Sequence, residues 1–84
     1  MTLDELKRLI EESVPESTAY LFDPQMDGQH LEAIVVSPCF KGIPLVKQHQ
    51  MVMKPLREAL AGDVHALALK TLTPEQWQER QQSS

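Results

Sequence analysis

Three histidines and one cysteine hold most of the metal-binding and proton chemistry available to this 84-residue chain: His30, His49, His65 and Cys39. Imidazole titrates near neutral pH and ligates metals in its neutral form, while a thiolate is a soft ligand that also oxidises. His65 has the most telling setting. It is the second residue of Val64-His65-Ala66-Leu67-Ala68-Leu69-Lys70-Thr71, flanked by apolar Val64 and Ala66. A lone ionisable group at the start of an apolar strand is the expected carrier of chemistry, although spacing alone also fits a buried histidine bonded to a backbone carbonyl. His30 follows the turn-rich Asp23-Pro24-Gln25-Met26-Asp27-Gly28 and so stands at the mouth of a hairpin loop, where a histidine without a task is also common. His49 falls on an apolar helical stripe, the place of a packing or capping residue. Cys39, between Pro38 and Phe40, is either a soft reactive group or a half-buried small side chain. No nucleophile, base and orienting acid form a recognisable set, no glycine loop suits a phosphate, and no cysteine pair has zinc spacing. Catalysis by this chain alone is not expected.

These residues need elements to position them. Thr2 and Glu5 form a capping box, and Leu3, Leu6, Leu9, Ile10 and Val14 share one side at helical spacing, which predicts a helix over 3–13 that Pro15 stops. Ala19-Tyr20-Leu21-Phe22 predicts a strand, and His30-Leu31-Glu32-Ala33-Ile34-Val35-Val36 the second strand of a hairpin. A loop over 37–44 precedes a stripe of Leu45, His49, Val52 and Leu56, widened by Val46, Met53 and Leu60. Pro55 interrupts it, so helices are expected over about 45–53 and 54–61, or a strong kink at that point. After Gly62-Asp63, the nearly unbroken apolar run from Val64 reads as a strand in the middle of the sheet. Thr73 as N-cap, Pro74 in the first helical position and Gln76 at N3 start a last helix, with Trp77 its core or anchoring residue and a polar tail from about 79 to 84. The order αββααβα predicts an α+β fold: a three-stranded mixed sheet whose third strand pairs with the hairpin after a helical crossover, with helices on one face.

Composition narrows the function. One domain spanning 1–84 buries only about 60 to 65 per cent of its unfolded surface, too little to enclose a large cavity, which favours a binding module. A net charge of -4 disfavours a strong nucleic-acid footprint. A single cysteine allows no internal disulfide and suits a reducing compartment. No stretch resembles a signal peptide or reaches the ~20 apolar residues of a membrane span, so a cytoplasmic protein is expected.

The chain resembles the BolA-like proteins. The resemblance is carried by the helix over 3–13, Ile34-Val35-Val36-Ser37, Phe40-x-Gly42, Val46-Lys47-Gln48-His49-Gln50, Val64-His65-Ala66-Leu67 and, most distinctively, Lys70-Thr71-Leu72-Thr73-Pro74-Glu75-Gln76-Trp77. It implies a fold like the type II KH domain and a non-enzymatic partnership with a monothiol glutaredoxin, the heterodimer bridging one [2Fe-2S] cluster in iron-sulfur trafficking or iron regulation. In such complexes the glutaredoxin cysteine and a glutathione hold one iron; His65 corresponds to the family's invariant histidine, and His30 is the residue this sequence offers as second ligand from the hairpin loop. Cys39 is the alternative second ligand. No cluster is expected in the isolated chain, and a homodimer is an open alternative assembly. The runner-up is a DNA-binding regulator using the KH-like helix pair, with Lys41, Lys47 and Lys54 as candidate contacts. Gln48 and Gln50 stand where many relatives have arginines, and Gly42-Ile43-Pro44-Leu45 lacks the second glycine of a Gly-x-x-Gly loop; both departures weaken that reading.

Overall fold

A computed structural model describes residues 3–26, 30–59 and 66–82. The elements in chain order are α1 (Leu3–Ser13), β1 (Thr18–Phe22), β2 (His30–Val36), a 3-10 turn (Pro38–Phe40), α2 (Leu45–Ala59), β3 (Ala66–Leu72) and α3 (Pro74–Gln82). The predicted capping box at Thr2, the breaker Gly62-Asp63, and Val64 and His65 lie outside the described residues. No described helix is long and apolar enough to cross a membrane.

The sheet order is β1-β2-β3, with β2 antiparallel to β1 and parallel to β3. A short loop suffices for the antiparallel hairpin, whereas the parallel pair requires the crossover that α2 supplies. β3 is therefore an edge strand among the described strands, and the central place expected for it belongs to β2. Composition explains the difference. In β3 the apolar run alternates in size: Leu67 and Leu69 pack against the core, while Ala68 and Lys70 are exposed. Small alanines lose little by facing solvent, so the run is the signature of one buried face.

The core forms between this face and two helices. Leu6, Ile10 and Val14 of the α1 segment meet Ala19, Leu31 and Val35 of the sheet, Phe40 of the 3-10 turn, and Val52 and Leu56 of α2. Phe40 is the largest of the fully buried side chains and closes the end of the core beneath the turn. Gly42 has φ of 79°, a left-handed conformation that glycine adopts without strain, and it redirects the chain from the turn toward α2.

α2 is one helix that contains Pro55, so of the two expected outcomes the split into separate helices does not occur. The proline removes a backbone donor, a defect worth about 3 kcal/mol in a helix interior. Val52 and Leu56 bracket it, are 0% and 1% exposed, and anchor both halves to the same core. Their burial contributes about 1.5–3 kcal/mol each, enough to offset the defect. Leu45 and Val46, expected on the buried stripe, are 60% and 69% exposed because the helix begins beyond the edge of the core.

The helical layer over one face of the sheet consists of α1 and α2. α3 instead brings Trp77 onto Tyr20, ring centroids 4.9 Å apart and planes 21° from parallel. Tyr20 alternates with Ala19 and Leu21, both turned to the core, so it stands on the opposite face, in register with Ile34 and, through it, Lys70. The start of α3 follows the expected cap: Thr73 Oγ1 accepts from Gln76 N at 3.3 Å, and Gln76 Oε1 accepts from Thr73 N at 2.9 Å. The helix then continues through Gln82, into the residues expected as a polar tail.

Candidate functional site

His30 opens β2, where the chain leaves the hairpin loop. Burial along the strand alternates: Leu31, Ala33 and Val35 are 4%, 1% and 0% exposed, whereas His30 and Glu32 face solvent. The buried set fixes the strand's register, because a one-residue slip would turn it outward. His30 is thereby placed on the outward face at the end of the central strand. Its Cα partner in the parallel ladder is Ala66, the first residue of β3, and Ala66 follows His65 in the sequence. His65 itself lies outside the described residues.

The surroundings of His30 suit contact with another molecule. Phe22, which pairs with Glu32, is 46% exposed, and Met26 in the hairpin loop is 89% exposed with a φ of 55°. Phe22, Pro24 and Met26 line an open groove of about 680 Å³ together with Leu3 and Leu21, and Asp23 and Glu32 supply its acidic rim. Exposed apolar side chains grouped beside a potential ligand have the make-up of an interaction surface.

Cys39 is placed elsewhere. It lies in the 3-10 turn past Val36, the far end of β2 from His30, so the length of the strand, about 20 Å, separates the two. Its backbone N–H donates to Ser37 Oγ at 3.2 Å, and its sulfur is 3.0 Å from the same oxygen. The geometry therefore removes Cys39 as a substitute for His30 in a site shared with the start of β3. His49 is half-buried on α2. Lys41, Lys47 and Lys54 are all exposed, one after the 3-10 turn and two on α2. Among the described residues no three His, Cys, Asp or Glu side chains converge on a common point.

Two structural side chains escaped the sequence reading. Gln48, read there as a missing cation, turns inward: its Nε2 donates to Phe40 O at 3.1 Å and Ile43 O at 2.7 Å, and its Oε1 accepts from Thr71 Oγ1 at 2.7 Å. Ser37, 0% exposed, donates from Oγ to Pro15 O at 2.7 Å and ties the end of β2 to the end of α1. A polar residue directly before the turn proline was the only local signal for Ser37. Nothing in the local sequence announces Gln48, whose partners lie up to 23 residues away.

Comparison with known proteins sets this arrangement among relatives. The family model for BolA-like proteins matches residues 8–76. Mouse BolA-like protein 1 is 45% identical over 59 residues, which cover 70% of this chain and 43% of that protein, so the match spans less than half of the mouse protein's length. A Vibrio cholerae protein described as DNA-binding transcriptional regulator BolA is 33% identical over 84 residues, 93% of this chain and 79% of that protein. Among solved structures, a BolA protein homologue from Coxiella burnetii superposes with a TM-score of 0.76 at 34% identity, covering 93% of this chain and 97% of that one.

Proposed function

The chain belongs to the BolA-like protein family, and from that membership we propose that it is a non-enzymatic cytoplasmic partner of a monothiol glutaredoxin, with which it shares a [2Fe-2S] cluster in iron-sulfur trafficking or iron regulation. The observation that supports this most is the pairing of His30 with Ala66, the residue bonded to His65. The register brings His30 opposite Ala66, and His65 precedes Ala66 in the chain, which supports a site shared by the two histidines. In the proposed complex the glutaredoxin cysteine and glutathione hold one iron, and His65 and His30 serve the second. Imidazoles in place of thiolates raise a cluster's reduction potential, a property suited to a cluster that is passed on. The groove beside Phe22 and Met26 would receive the partner's surface.

The test is a visible absorption and circular dichroism titration of the chain into cluster-loaded monothiol glutaredoxin, run with the wild type, His65→Ala and His30→Ala. A one-to-one spectral change that His65→Ala abolishes and His30→Ala diminishes is expected. A spectrum that stays that of the glutaredoxin alone, or a change indifferent to His65, would overturn the ligand assignment.

A second reading is favoured by one observation, the name of the Vibrio cholerae relative, a DNA-binding transcriptional regulator. On this reading Lys41, Lys47 and Lys54 contact phosphates. Binding to duplex DNA should then weaken with salt, and each lysine removed should lower the slope of log K against log salt by about 0.9. Salt-independent binding, or none, would eliminate it.

A further inference from the structure

The solvent side of α2 differs in charge from the rest of this acidic chain. Lys47, Gln50, Lys54 and Arg57 are all exposed, and their spacing of three or four residues lays them along one side of the helix. Lys47 and Lys54 are two turns apart, about 10 Å along the axis. Among the described residues none of these three cations has an ion-pair partner, in contrast to Lys7, which pairs with Glu11 on α1. An apolar flank runs beside the cations. Val46 is 69% exposed, and Met53, seven residues on and therefore on the same side, is half-buried against the core and offers its remaining surface to a groove of about 430 Å³ that Gln50, Lys54, Arg57 and the exposed Glu58 also line.

We infer that this side of α2 is a docking surface for an acidic amphipathic helix of a protein partner, one with apolar side chains seven residues apart flanked by Asp or Glu. The two apolar positions repeat at the spacing of a helix facing them, and the cations border them where the carboxylates of such a helix would lie. Charge complementarity selects the occupant. A nucleic acid would also engage the lysines, but it would leave the exposed Val46 facing phosphates, and a long polyanion is repelled by the net charge of -4 beyond the stripe. A short acidic helix carries fewer charges and covers the apolar flank. The surface lies on a different element from His30, so the inference stands independently of the iron-sulfur reading.

The probe is a fluorescein-labelled synthetic helix of glutamate and alanine with leucines seven residues apart, titrated with the full chain by fluorescence anisotropy. The controls are a peptide of the same composition with the leucines scrambled, and a labelled DNA duplex. Saturable binding of the patterned peptide is expected. It should weaken at least about tenfold in Lys54→Glu/Arg57→Glu and about fivefold in Val46→Ser, with far-UV circular dichroism unchanged because these side chains face solvent. Added salt should weaken it further. Equal binding of the scrambled peptide, or no binding of either, overturns the inference. So does DNA binding that needs the cations and ignores Val46, which would make this a nucleic-acid surface.

Discussion

Gln48 joins three segments that are distant in the chain, because one amide both donates to carbonyls of the 37–44 loop and accepts the Thr71 hydroxyl. Thr71 is 5% exposed, so removing its acceptor leaves a buried hydroxyl unsatisfied. Gln48→Ala should cost about 2 kcal/mol in urea unfolding. Arginine has donors but no acceptor; Gln48→Arg should lose about half as much, with Thr71→Val in that background restoring part of it. Glu11 is the second such residue. Its carboxylate accepts from Lys7 Nζ at 2.7 Å and from Ala19 N at 3.0 Å, and these bonds hold its pKa below the ordinary glutamate value, the lysine bond most strongly. A group with a depressed folded-state pKa contributes stability that is complete above its unfolded pKa and is lost as pH falls through the folded one. The stability gap between wild type and Glu11→Gln should therefore be constant near neutral pH and close on acidification below the usual glutamate range. A gap that persists in acid would show that packing, rather than the carboxylate, is responsible.

At the scale of elements, α2 shows tertiary packing overriding a local breaker. Two buried side chains on either side of Pro55 hold a helix that intrinsic propensity would divide. Pro55→Ala restores a backbone donor but also frees the unfolded chain, which offsets part of the gain. A net stabilisation of about 1–2 kcal/mol is expected, read as a raised thermal midpoint with little change in helix content. A marked increase in helical circular dichroism would mean that the proline does divide the helix in solution. The hairpin and β3 position His30 in a comparable way: buried Leu31, Ala33 and Val35 set the register, and the histidine's place follows from them.

For the molecule as a whole, the sheet carries α1 and α2 on one face and meets α3 on the other through Tyr20 and Trp77. Trp77 is the single tryptophan, so its emission reports whether α3 is docked. Tyr20→Ala should cost about 1 kcal/mol and red-shift that emission while β-sheet circular dichroism is retained. An unshifted spectrum would place the anchoring of α3 in other contacts. The charges divide in a similar way between elements, with four acids on α1 and three exposed cations beside one acid, Glu58, on α2.

The sequence by itself determined the helix over 3–13, the strand from His30 to Val36, the cap formed by Thr73 and Gln76, and the membership of the family. The three elements depend on residues within a turn or two of one another, where periodicity and side-chain capping act without reference to the rest of the chain; the family membership rests on the order of short motifs along residues 8–76, which is also written in the sequence alone. The tertiary structure decided that β2 rather than β3 is central, that α2 continues through Pro55, that Gln48 turns inward, and that Cys39 lies a strand's length from His30. Those outcomes depend on which surfaces are buried against one another. Burial is shared among residues far apart in sequence, so local spacing cannot express it.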